Sequence, residues 1–98
     1  MAKSKLDSTK SILEDEIKMH AYTRDNLYSN AASSRKIEDY IIESVISNVN
    51  KGDCLDWIAS LLKQYEVPQE NIDETRSSAE LQFSILDKKI NSRLNQNK

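Results

Sequence analysis

Residues 50–68 read Asn-Lys-Gly-Asp-Cys-Leu-Asp-Trp-Ile-Ala-Ser-Leu-Leu-Lys-Gln-Tyr-Glu-Val-Pro, and the fold class is decided there. Cys54 and Leu55, Ile58, Leu61 and Leu62, and Tyr65 recur at steps of three and four, the spacing that gathers apolar side chains on one face of an α-helix. Gly52 suits the left-handed position that closes a preceding helix, and Asp53 suits the N-cap of the next. Pro68 disfavours helical geometry at Val67, so this helix should span 53–66.

Upstream, Ile37, Tyr40, Ile41, Val45 and Val49 form the apolar face of a second segment, 34–50, and Ile42 and Ile46 widen it toward burial on two sides. Residues 29–34, Ser-Asn-Ala-Ala-Ser-Ser, make a turn without glycine or proline, so one continuous helix from about 8 to 50 stays open as an alternative. The first helix is expected over 8–28, starting at Asp7 or Ser8, with a Ser11–Glu14 capping box as a later start. Its sparse stripe is Leu13, Ile17, His20, Ala21 and Leu27, flanked by Ile12 and Met19 and interrupted by Lys10 and Arg24.

Downstream, Pro68 opens a short turn or helix to Ile72. A final helix over 77–94 follows from a Ser77–Glu80 capping box, with Ala79, Phe83, Leu86, Ile90 and Leu94 as its stripe and Ile85 beside it. The expectation is an all-α single domain, 1–98, a small bundle of about four helices with 1–7 and 95–98 frayed.

Composition agrees. The chain has one glycine and one proline and none of the Asn-Gly or Asp-Gly pairs that tight hairpins lean on. Its 98 residues are 38% apolar and 31% charged, enough for one thin core, so part of the stability is expected from a partner or self-association. One cysteine, Cys54, excludes an intramolecular disulfide and points to a reducing compartment. No apolar signal segment and no run of about 18 apolar residues is present, so no membrane association is expected and the cytoplasm is the expected location.

The net charge of −2 is unevenly placed. Residues 53–80 carry seven acids (Asp53, Asp56, Glu66, Glu70, Asp73, Glu74, Glu80) against Lys63 and Arg76, a local charge of −5. Phosphate neutralisation supplies most nucleic-acid affinity, so direct DNA or RNA binding is disfavoured.

The residues offer little chemistry. His20 is the only histidine and reads as a packed or half-exposed member of its stripe. With one Cys it cannot supply the three or four ligands of a usual zinc site, so no metal is expected. Cys54 lies between Asp53 and Asp56, whose charge opposes a thiolate, and reads as a small core residue. No nucleophile elbow surrounds any serine, and glycine-rich phosphate loops are absent. Glu14-Asp15-Glu16 and Asp73-Glu74 read as solvated helix faces. No catalytic residue and no cofactor is expected, and the chain is read as a non-enzyme.

What remains suits recognition. Trp57 lies off the main stripe of its helix, and Tyr22, Tyr28, Tyr40 and Tyr65 are the other large amphipathic groups. Trp and Tyr are enriched at binding hot spots, although Trp57 serves equally as the edge of a thin core. Tyr40, Ile41, Trp57, Leu61 and Tyr65 are the candidate protein-binding residues. An acidic rim of Asp53, Asp56, Glu66 and Glu70 would steer a basic partner.

Tyr40-Ile41-Ile42-Glu43, then Leu55-Asp56, Leu62 and Val67-Pro68 resemble the late-transcription coactivator family of T-even-type tailed phages. The likeness covers about residues 40–72, a third of the chain, with a one-residue gap at the turn. It implies a small helical protein docking on the flap region of bacterial RNA polymerase through 40–49 and 55–65, in the cytoplasm of a bacterial host. The polar, basic end from Leu94 to Lys98 departs from the family's apolar, acidic clamp-binding tail, which puts clamp coupling in doubt. The leading expectation is therefore a helical adaptor for a protein partner. The alternative is a helical homo-oligomer holding a small anionic ligand between protomers, as some anti-defence proteins do, with Lys10, Arg24 or Arg35 as cationic contacts. A viral assembly chaperone is a third.

Overall fold

The computed structural model describes residues 4–21 and 31–96. Within them lie four helices and no strand: α1 (Lys5–Ala21), α2 (Ala31–Ile46), α3 (Lys51–Gln64) and α4 (Gln69–Gln96). The all-α bundle expected from the periodicity is the observed fold, while its boundaries differ in physically instructive ways.

Helix α1 starts three residues before the expected region because Ser4, not Ser8 or Ser11, caps it. The Asp7 N–H donates to Ser4 Oγ at 3.1 Å, satisfying one of the amides that a helix start leaves unpaired. Residues 4–7, expected to fray, thus belong to an organised start. Leu13 and Ile17 are fully buried, as their stripe requires, whereas Ile12 and Met19 are 50% and 54% exposed. The expected continuation of this helix to 28, the side chains of His20 and Ala21, and the junction with α2 lie outside the described residues.

Helix α2 begins at Ala31 and stops at Ile46, four residues short of the expected end. There the chain takes the left-handed backbone at Asn48 (φ 62). The Val49 N–H reaches Ser44 C=O at 2.9 Å and the Asn48 N–H reaches Val45 C=O at 3.1 Å. This pair of bonds is a Schellman closure, which satisfies carbonyls the helix end would leave bare. Gly52, expected in the left-handed role, sits instead inside the first turn of α3. Asn50 is the N-cap: its side chain accepts the Asp53 N–H at 2.8 Å, so Asp53 is capped rather than capping.

Helix α3 ends by the same device one helix later. Glu66 takes the left-handed conformation (φ 60), with Val67 N–H to Leu62 C=O at 3.1 Å and Glu66 N–H to Lys63 C=O at 3.0 Å. The segment from Pro68 to Ile72 is not a separate turn. Pro68 carbonyl accepts from Asn71 and Ile72 N–H, and the helix then runs unbroken from Gln69 to Gln96. The Ser77–Glu80 pair falls inside this helix, where no cap is needed.

The core is one cluster drawn from all four helices: Leu13 and Ile17; Ile37, Tyr40, Ile41 and Val45; Cys54, Leu55, Ile58, Leu61 and Leu62; Ile72, Ala79 and Phe83. Helix α2 lies between α1 and α4, and α3 packs mainly on α4. That central place explains the wide apolar face of α2. Ile37, Tyr40 and Ile41 are essentially inaccessible, while Ile46, beyond the packed zone, is 57% exposed.

One polar bond set is buried between α1 and α2. Glu16, 3% exposed, accepts from Ser33 Oγ at 2.8 Å and pairs with Lys36 Nζ. The acidic run Glu14-Asp15-Glu16 is therefore not a uniformly solvated face. Its third member turns inward, and a buried carboxylate is tolerable because Ser33 and Lys36 meet it there.

Candidate functional site

Helix periodicity puts Trp57 on the shoulder of α3, about a third of a turn from the core position Ile58. It is half-buried. Its ring lies 4.8 Å from the Tyr40 ring at a 41° tilt, the edge-leaning arrangement that aromatic quadrupoles favour. Lys10 Nζ of α1 stands 5.4 Å from the indole centroid, within cation–π range. Two turns further along, the Tyr65 hydroxyl donates to Glu14 Oε2 at 3.3 Å. Trp57, Tyr65, Lys10 and Glu14 thus form an amphipathic strip along the α1–α3 seam, partly open to solvent, with exposed Asp53 and Gln64 beside it.

The five sequence-derived binding residues divide sharply. Trp57 and Tyr65 lie on this strip. Tyr40, Ile41 and Leu61 are 1%, 0% and 6% exposed and hold the bundle together, so a partner cannot reach them in the folded chain. The periodicity marks an apolar face but does not separate a face that meets another helix from one that meets a partner. Lys10, expected only as a cationic contact for a ligand between protomers, and Glu14, expected on a solvated face, were not placed on this strip by the sequence because their role depends on where α1 lies against α3.

The acidic rim is also partly self-neutralised. Asp56 receives Arg76 at 2.8 Å, and Asp53 is held by its N–H bond to Asn50 and by Asn50 Nδ2 at 2.9 Å. Glu66 and Glu70 are exposed at the α3–α4 turn.

Beneath the strip, Tyr40 and Cys54 form a buried pair. The Tyr40 hydroxyl donates to the Cys54 carbonyl at 3.2 Å, and Ser44 Oγ donates back to the Tyr40 carbonyl at 2.8 Å. Burial raises the Cys54 thiol above its ordinary 9.0, opposed only in part by hydrogen bonding from Ser44 and Tyr40 and by the charge of Lys10. Burial likewise pushes the Tyr40 phenol well above its ordinary value. Both groups are held neutral, the reverse of what an activated nucleophile needs.

A second feature is a groove of about 600 Å³ where the α2–α3 turn faces α4. Apolar Val45, Val49 and Phe83 line it together with Asn48, Lys51, Lys88, Asn91 and the carboxylate of Asp87. Lys51 already pairs with Glu80 at 3.6 Å. Among the described residues, no three His, Cys, Asp or Glu side chains are placed to hold a metal, and no helix is long and apolar enough to cross a membrane.

Neither a family model, nor a curated protein, nor a solved structure matches this chain. The residues that carry the likeness to the phage coactivators can be placed, however. Tyr40, Ile41, Leu55 and Leu62 are all buried, so the likeness lies mostly in residues that pack α2 and α3.

Proposed function

We propose that this chain is a non-enzymatic helical adaptor that docks a protein partner on the α1–α3 strip. The observation that carries the reading is the presentation of Trp57: a half-buried indole braced by Tyr40 and Lys10, with an open edge rimmed by polar groups. A side chain already fixed by its neighbours loses little freedom on binding, and such braced aromatics dominate interface energies. The coactivator resemblance nominates bacterial RNA polymerase as the first partner to try.

The test is affinity capture from bacterial lysate by the wild type and a variant that leaves the core alone, Gln64→Arg, with Trp57→Ala as a second. Truncating a hot-spot indole should weaken binding by about 2 kcal/mol, roughly 30-fold. Polymerase subunits retained by the wild type and lost from Gln64→Arg support the coactivator form. A different protein with the same loss supports the adaptor without polymerase. Equal capture by wild type and both variants rejects the strip.

A second reading, a site for a small anionic ligand, rests on Lys88 in the groove, where Lys51 is already paired with Glu80 and Asp87 also lines the site. A thermal shift with nucleotides or other phosphate esters that disappears in Lys88→Gln would support it, and no shift across such a panel would remove it.

A further inference from the structure

The outward side of α4 has a pattern that neither the core nor the strip uses. Leu81 and Ile85, one turn apart, are 65% and 52% exposed, and Leu81 is the most exposed large apolar residue among those described. They lie opposite Ile72, Ala79 and Phe83, which face the core. On the same outward side Glu70 and Glu74 precede them and Lys88 and Lys89 follow, with Arg93 at the edge, all exposed. Small Ser77, Ser78 and Ser92 fill the intervals. The face therefore runs acidic, apolar, basic along one helix.

Such an order is complementary to itself only when reversed. We infer that α4 pairs antiparallel with α4 of a second copy of this chain about a two-fold axis that crosses the outward face between Leu81 and Ile85. Leu81 of one copy then meets Ile85 of the other, twice over, as an isologous contact requires. With a rise of about 1.5 Å per residue, Arg93 falls almost level with the opposing Glu74, and Lys88 and Lys89 within about one turn of it. A parallel pairing would set acid on acid and base on base, so the charge order selects one orientation. Ser77, Ser78 and Ser92 let the backbones approach. A second copy is favoured over an unrelated partner because every group on this face finds its complement on the same face. One helix pair makes a small interface, so weak, concentration-dependent association is expected.

Sedimentation equilibrium on the full chain tests this between about 1 μM and 1 mM. The wild type should double its 11.3 kDa mass with concentration, weakening as salt rises. Leu81→Lys should abolish the doubling. Two charge-reversal variants, Glu70→Lys with Glu74→Lys and Lys89→Glu with Arg93→Glu, should each stay monomeric alone and form a heterodimer when mixed. These positions are exposed, and circular dichroism checks that the helices persist. A wild type that stays monomeric throughout overturns the inference. So does a dimer that survives Leu81→Lys, or two charge variants that fail to pair on mixing.

Discussion

Replacing Glu66 by glycine should stabilise the protein, although it deletes a side chain and adds no contact. Glu66 is exposed and holds φ 60 at the close of α3. A non-glycine residue in left-handed backbone costs about 1–2 kcal/mol. The freedom glycine gains in the unfolded chain returns about 0.5–1 kcal/mol of that. Glu66 also places a negative charge at the negative end of the helix, which its removal relieves by about 0.3–1 kcal/mol. The net gain is about 1 kcal/mol, which for a domain of this size raises Tm by about 4–8 °C. Thermal unfolding followed at 222 nm is the assay. Glu66→Gln separates the two contributions, since it removes the charge while keeping the backbone cost, and should gain only the charge relief of about 0.3–1 kcal/mol. A Glu66→Gly variant that melts at or below the wild-type temperature would refute this account of how α3 ends.

Four further outcomes follow from the packing. Gly52→Ala should be neutral or stabilising by up to about 1 kcal/mol, because Gly52 has no positive φ and a Cβ there meets only Asn50 Oδ1 at 3.4 Å; denaturant unfolding checks it. Ile58→Ala should cost about 2–5 kcal/mol in the same assay, since Ile58 is fully buried at the centre of the cluster. Lys36→Met should destabilise clearly more than Lys5→Met, because Lys36 meets a buried carboxylate while Lys5, 86% exposed, stands 3.9 Å from Glu43. Stability should fall as pH rises through and above 9: Cys54 holds its proton in the fold and loses it more readily when unfolded, so its contribution is complete below the unfolded pKa and shrinks above it. Melting scans from pH 7 to 10.5 should show this decline flattened in Cys54→Ala.

The helical class and most of the core were legible in the sequence because α2 and α3 repeat their apolar residues at helical intervals, and a chain with one glycine and one proline has few other ways to fold. Helix ends were less legible. The lone glycine drew the left-handed role to Gly52, whereas the chain gives it to Asn48, a residue type that tolerates that backbone, and to Glu66, whose side chain does not announce it. Ser77 and Glu80 matched a capping box, yet nothing interrupts α4 there, and local pattern yields to a helix already propagating from Gln69. The same limit governs the site. Trp57 and Tyr65 could be singled out by residue type. That Tyr40 and Leu61 serve the core, that Glu16 is buried, and that Lys10 and Glu14 complete the strip all depend on how α1 lies against α2 and α3, information spread over residues far apart in the chain.

The adaptor claim is most directly tested at Trp57, the only tryptophan in the chain, because 5-fluorotryptophan labelling gives one fluorine resonance at the centre of the strip. Fluorine NMR would follow that resonance as purified bacterial RNA polymerase, or whichever protein affinity capture identifies, is titrated in. The account predicts that it shifts or broadens with saturation, and that Gln64→Arg suppresses the change. A partner that binds the chain while leaving the Trp57 resonance untouched would contradict it.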